Sequence, residues 1–232
     1  MKRIIKISLI LLLVGMAVIA AVPFLKEKRA EKKYENDFKN IQESVIEKKS
    51  DVNGLVKKNK DCIGYVEIPG TTISYPVMQT NKNPDFYLNH DFNRNYSFYG
   101  TPYLSAYCDV NKSDNLIIYG HNINGGKMFG ALEQYKDKEF FYKHRKIYFT
   151  TDKKREYEVF AVMSVNIHKF EYWKFVMARN KEEHDEFIDK VEEHSLWRQE
   201  NKPKYGEQML MLSTCDNGKG DDCRIVVIGK NI

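Results

Sequence analysis

Apolar and polar positions follow three different rhythms along the chain. From Ile7 to Leu25 nineteen residues pass without a charge. A bilayer core of about 30 Å needs about 20 apolar residues in a helix, so this run is long enough to span one. Lys2, Arg3 and Lys6 precede it, and Lys26, Lys28 and Arg29 follow it, so flanking charge alone does not set an orientation. Residues 1–26 are therefore expected to form a membrane anchor. A cleaved signal peptide, with Val18 and Ala20 as the small residues before the cut, is the alternative. The chain from Glu27 is then highly charged, and Tyr34, Phe38, Ile41 and Val45 recur at steps of four, three and four. That spacing marks one face of an amphipathic helix, and residues 27–60 are expected to be a helical stalk packing on the domain that follows.

Beyond residue 60 the pattern shortens. "CIGYVEIPGTTISYPVMQ" predicts two strands around Pro69-Gly70. "NLIIYGH" predicts a buried strand ending in glycine and histidine. "KIYFT" and "EYEVFAVMSV" predict two more, the second with Tyr157, Val159, Ala161, Met163 and Val165 on one face. "KEEHDEFIDKVEEHSLW" has helical spacing, with Phe187, Ile188, Val191 and Ser195 in one stripe. "QMLMLST" and "RIVVIG" are the last strands. Many short strands with a few helices predict a mainly β domain over residues 61–232, a closed or nearly closed mixed barrel.

Charge and composition narrow the function. The net charge is +5, but much of the excess lies near the N-terminus and the remainder mixes both signs, which describes a solvated surface and not a nucleic-acid binder. Four cysteines are too few and too scattered for a disulfide framework. Cys62 and Cys108 sit in apolar or aromatic surroundings and read as packing residues.

The candidate chemistry gathers near strand ends. A cysteine nucleophile needs an acid–base partner, usually a histidine, which can be distant in sequence. His144, His184 and His194 lie in charged segments and read as surface residues, and His90 and His168 lie in aromatic polar loops. His121 follows the buried strand Leu116–Tyr119 and a glycine, with Asn122 and the Gly125-Gly126 pair beyond it, so it is placed to face a cleft. Cys215 also ends an apolar strand before a glycine-bearing loop, and Arg224 opens the next strand. Neighbours on a strand point to opposite faces, so an Arg224 aimed at the cleft leaves Cys223 aimed away. Cys215 is then the nucleophile. The spacer "DNGKGDD" lacks the Glu of a calcium loop, and Cys-x₇-Cys is not a usual zinc spacing, so no metal is expected. A Cys215–Cys223 disulfide formed on oxidation is expected only with loop movement.

Taken together, "MLSTC…R", "IIYGHN" and an N-terminal anchor resemble the sortases, cysteine transpeptidases of Gram-positive envelopes. "IGYVEIPGTTISYPVMQ", "FYLNHDF" and "IIYGHNINGGKMFGALEQY" are similar to class B, from about Cys62 to the C-terminus. Met211 stands where the family usually has threonine, and Asn83-Pro84 stand where class B usually has Asp-Asn before the aromatic pair. The resemblance implies an eight-stranded β-barrel with N-terminal helices and a helix between strands six and seven. It implies His121, Cys215 and Arg224 as the catalytic trio, and Leu88, Asn122, Ser213 and Thr214 as substrate-binding. The reaction implied is cleavage of a sorting signal at threonine through a thioacyl-enzyme, then transfer to an amine of the cell wall or a pilin. An endopeptidase that resolves the intermediate with water is the alternative. No cofactor is implied. The partners are surface proteins bearing the signal, and the enzyme is expected in the cell membrane, with one span and its catalytic domain outside.

Overall fold

The computed structural model describes residues 2–47 and 52–232. They fall into two compact units, dividing at residue 44. The first consists of most of one long helix, α1 (Lys2–Glu47). Among the described residues no helix is long and apolar enough to cross a membrane, so the span expected over Ile7–Leu25 rests on the sequence. The side chains of Tyr34, Phe38, Ile41 and Val45, the expected packing stripe, lie outside the described residues. The last part of the expected stalk forms a separate helix within the second unit, α2 (Val52–Lys58), which buries Val52 and Leu55. Just after it the Asn59 amide donates to the Tyr87 hydroxyl at 2.8 Å and to the Phe92 carbonyl at 2.6 Å.

The second unit carries eleven strands among the described residues. They are β1 (Cys62–Glu67), β2 (Ser74–Met78), β3 (Tyr103–Leu104), β4 (Asn115–Tyr119), β5 (Asn122–Ile123), β6 (Lys127–Met128), β7 (Lys146–Thr150), β8 (Lys154–Asn166), β9 (Ser195–Arg198), β10 (Met209–Cys215) and β11 (Cys223–Asn231). The hairpin predicted around Pro69-Gly70 is present, pairing Glu67 with Ser74, and Gly70 supplies the positive φ of 78° that its turn needs. Two short helices follow later, α3 (Lys138–Lys143) and α4 (Lys181–Glu193), capped by the side chains of Asp137 and Asn180.

Nine strands make one sheet, in the order β11-β10-β4-β3-β2-β1-β7-β8-β9. A further pairing of β11 with β8 closes it. The result is a barrel of eight strands, with β9 attached to the outer edge of β8. β2–β3 and β4–β10 are parallel and the other pairs antiparallel, so the barrel is mixed. Helix α4 lies between the sixth and seventh barrel strands in chain order, as the resemblance implied.

The core explains the strand patterns. Tyr157, Val159, Ala161, Met163 and Val165 are buried as alternation predicted, but Phe160 and Val162 are buried too. β8 runs between β11 on one edge and β7 then β9 on the other, and it is covered on both faces along its middle. In α4, Phe187, Ile188 and Val191 are buried as expected, whereas Ser195 has left the helix and begins β9. His184 corrects the sequence reading: it is 1% exposed and not a surface residue, because it lies on the buried flank of α4, edge-on to Tyr205.

Candidate active site

Strand register brings the candidate residues to one place. β10 lies between β4 and β11. On one side Cys215 is the direct partner of Arg224, and residues paired across antiparallel strands share a face. On the other side Ser213 is the parallel partner of Tyr119. Two residues further along each strand come Cys215 and His121, so His121 leaves β4 level with Cys215. The ladder carries on past the strand end, because the Gly120 N–H donates to the Ser213 carbonyl at 3.2 Å. Three adjacent strands therefore present histidine, cysteine and arginine along a single sheet edge.

The His121 ring is held on two sides. Its Nε2 is 2.9 Å from the Leu88 carbonyl oxygen. A carbonyl only accepts, so Nε2 carries the proton and Nδ1 is the nitrogen left to exchange one. The Phe98 ring lies parallel to it, with centroids 6.4 Å apart. Burial lowers the His121 pKa below the ordinary imidazole value, partly opposed by the bond to Leu88. The Leu88 carbonyl is itself fixed by a close approach. Gly100 stands against it with φ of 61°, and a side chain there would collide with that oxygen.

The half-buried Cys215 closes β10. Its carbonyl accepts from the Asn122 amide at 2.7 Å, and the same amide nitrogen donates to Glu133 Oε1 at 2.8 Å. Arg224 is half-buried, and its Nη1 donates to the carbonyls of Asp221 at 2.5 Å and Cys223 at 2.9 Å. Beneath this edge lies a tyrosine cluster. Tyr172 is buried, and desolvation pushes its hydroxyl up to about 12, so it is neutral. Tyr103 is raised as well, by burial and by Asp85, to which it donates at 3.2 Å.

The four residues expected to bind substrate are placed differently from one another. Leu88 is half-buried and reaches the site through its carbonyl. Asn122 braces the backbone of Cys215. Ser213 and Thr214 are only 2% and 3% exposed. Their hydroxyls are turned to Tyr172 at 2.7 Å and to the Gly120 carbonyl at 2.7 Å. Both hydroxyls are thus engaged by neighbouring groups within the barrel.

Sequence reasoning missed three residues. Asp216 is fully buried right after Cys215, and its carboxylate accepts from Lys136 Nζ at 2.6 Å, from Ser164 Oγ at 2.6 Å and from the Gly218 N–H at 3.2 Å. Lys136 also pairs with Glu133 at 2.5 Å. Burial alone would raise the Asp216 pKa, but these bonds and the Lys136 charge hold it below the usual carboxylate value. Nothing in the sequence joins Asp216 to Lys136, eighty positions away. Among the described residues no group of three or more His, Cys, Asp or Glu is arranged to hold a metal ion.

Cys223 is a separate thiol. Both it and Cys215 are free. Arg224 faces the same way as Cys215, so the neighbouring Cys223 faces the other way across the β10–β11 ribbon. Side chains pointing apart cannot form a disulfide without backbone movement. Cys223→Ser is therefore expected to leave peptide turnover within about twofold of wild type, well inside the range of a non-catalytic surface change. A reduced enzyme assayed by peptide cleavage checks this, and a dead variant would give Cys223 a part in the chemistry.

A sequence model described as the sortase domain matches residues 66–232, well over half of the chain. The chain belongs to the sortase family. Its relatives include sortase B of Staphylococcus aureus (strain NCTC 8325 / PS 47), 28% identical over 242 residues, covering 100% of this chain and 98% of that protein. Sortase B of Listeria monocytogenes serovar 1/2a (strain ATCC BAA-679 / EGD-e) is 31% identical over 188 residues, 79% of this chain and 75% of that protein. Among solved structures, a Staphylococcus aureus sortase B–substrate complex superposes with a TM-score of 0.78 at 27% identity, covering 87% of this sortase and 97% of that chain. This sortase is thus of the B type, a cysteine transpeptidase of the kind that anchors surface proteins in Gram-positive bacteria.

Proposed function

We propose that this sortase cleaves a C-terminal sorting signal at its threonine and passes the new acyl end to an amine of the cell wall or of a pilin. The observation that carries this reading is the Cys215–Arg224 register pair, with His121 two residues past the end of the neighbouring strand β4. The Cys215 thiolate attacks the threonine carbonyl carbon, and a C–S bond forms. Negative charge moves to the carbonyl oxygen, where Arg224 N–H groups donate to it. The C–N bond then breaks as the His121 imidazolium gives its proton to the leaving amine. In the second half an incoming amine attacks the thioester, His121 accepts its proton, and Cys215 leaves as thiolate.

Turnover in this scheme needs thiolate and imidazolium together. For a free cysteine and a free histidine, at about 8.5 and about 6.5, that combination amounts to only about 1% near pH 7.5. A depressed His121 pKa makes the fraction smaller still. The profile of kcat/KM against pH is therefore expected to fall on its acid side below pH of about 6.5, the ordinary histidine value. An acid limb above that value would assign the inflection to another group.

The apolar run Ile7–Leu25 within α1 supports anchoring in the cell membrane by a single span, with the catalytic domain outside. Surface proteins bearing a sorting signal are then the acyl donors. The test is to incubate the full chain in detergent with a library of threonine-containing signal peptides, with and without triglycine as amine. A thioester on Cys215 by mass spectrometry, and a ligated product when triglycine is present, are expected. Hydrolysed acid as the sole product in the presence of amine would make the enzyme an endopeptidase.

A further inference from the structure

The end of a strand is where a sheet frays, yet a nucleophile must be held closely. Cys215 is the last residue of β10. Its backbone is gripped on both sides of its peptide plane. Its carbonyl accepts from Asn122, and the next N–H, of Asp216, donates to the Cys223 carbonyl at 2.9 Å. The Asp216 side chain then turns inward and loses all contact with solvent.

From there a chain of polar contacts returns to its start. Asp216 Oδ1 accepts from Lys136 Nζ, Lys136 pairs with Glu133, Glu133 accepts from the Asn122 amide, and that amide donates to the Cys215 carbonyl. The ring begins and ends on consecutive residues, 215 and 216. It passes through the residue next to His121. It is fastened to the barrel by Ser164 of β8, which donates to Asp216 Oδ2, and by Trp197 of β9, whose Nε1 donates to the Lys136 carbonyl at 3.0 Å. Each hydrogen of the Asn122 amide has an acceptor, and both Asp216 oxygens are occupied. Such a closed network fixes geometry only while every member is present.

We propose that Lys136 and Asp216 are a positioning pair for the catalytic centre, whose ion pair keeps Cys215 and His121 at their working separation. Neither touches the reacting atoms. The pair acts through Asn122 and the 215–216 backbone, and the proposal rests on the transpeptidase reading above. A buried carboxylate stripped of its cation is strongly disfavoured, so losing Lys136 drives Asp216 out of its pocket or makes it take a proton. Either way the backbone beside Cys215 shifts. Misplacement of a reacting group by about 1 Å costs up to about 10²-fold in rate.

The experiment is a set of Lys136→Met, Lys136→Arg, Asp216→Asn and the Lys136→Met/Asp216→Asn double variant in the full chain, each checked for thermal unfolding. Peptide kcat and KM are measured separately. Lys136→Met is expected to lose about tenfold to 10²-fold in kcat with KM within about threefold, and Lys136→Arg to recover most of it. The double variant buries no lone charge and is expected to lose less than the product of the two single losses. An unchanged kcat in Lys136→Met, or strictly multiplicative losses, overturns the pair. If Lys136→Met does not fold, Asp216→Asn decides alone: a kcat loss at constant KM supports the pair and a wild-type kcat overturns it. A wild type that forms no thioester on Cys215 brings down the transpeptidase reading and the pair with it. A wild type that does so beside an unaffected Lys136→Met brings down the pair only.

Discussion

Cys215→Ala will form no thioester with any signal peptide, and its turnover will fall to background while the barrel still melts cooperatively. The change removes one sulfur from a half-buried strand end, so the cost to packing is small. The bonds that hold the segment are made by the backbone: the Cys215 carbonyl with Asn122 and the Asp216 N–H with Cys223. Alanine keeps both. No other described thiol can take over. Cys62 and Cys108 are buried, burial pushes the thiol of Cys62 up to about 12, and Cys223 faces the other side of the ribbon. Mass spectrometry of the enzyme after brief exposure to peptide reads the adduct directly. Near-normal turnover in Cys215→Ala would remove this strand end from the mechanism.

Arg224→Lys is the second large effect. The guanidinium offers five N–H donors in a rigid fork. One of its nitrogens, Nη1, is already committed to the carbonyls of Asp221 and Cys223. That commitment orients the fork and leaves the Nε and Nη2 hydrogens for a developing oxyanion. An ammonium group is a single point with three donors, and a lysine that satisfies the two loop carbonyls has drawn its charge away from the substrate. Losing one oxyanion donor commonly costs about 10²–10³ in rate, and the acylation step of Arg224→Lys is expected to slow by that much. Peptide KM should move far less, because the charge develops only in the transition state. Rapid-mixing measurement of thioester formation separates the two. Activity within about threefold of wild type would take Arg224 out of the oxyanion site.

Local pattern and global register contributed differently to what could be read in advance. The ends of β4 and β10 were visible as apolar runs stopping at Gly120 and Cys215, and the start of β11 as one opening at Arg224; a strand end beside a glycine is a local signal. A closed or nearly closed barrel was legible in the run of short strands and its count of eight came from the family likeness, but the closing pair was not, because β11 with β8 joins residues such as Arg224 and Val165 that share no local pattern. Ser213 and Thr214 were assigned to substrate by the same likeness, yet their hydroxyls are taken up inside the protein. Hydroxyl residues in an apolar strand read the same in sequence whether they meet a ligand or a neighbouring tyrosine. His184 misled for a related reason. Its flanking charges describe the open side of α4, and only the tertiary packing around it, with Tyr205 edge-on, buries His184 itself. Asp216 had one visible cue, a carboxylate next to the nucleophile, but its partner Lys136 arrives through three-dimensional proximity alone.

The position of β11 in the barrel also ties the closure of the fold to the assembly of the candidate site. Last of the described strands, it closes the barrel against β8 and brings Arg224 beside Cys215 in the same act. Without β11 in place the sheet has two open edges, and Cys215 has no guanidinium beside it. Under the mechanism proposed above, such an open sheet lacks its oxyanion donor, so closing the barrel and completing the site are one step.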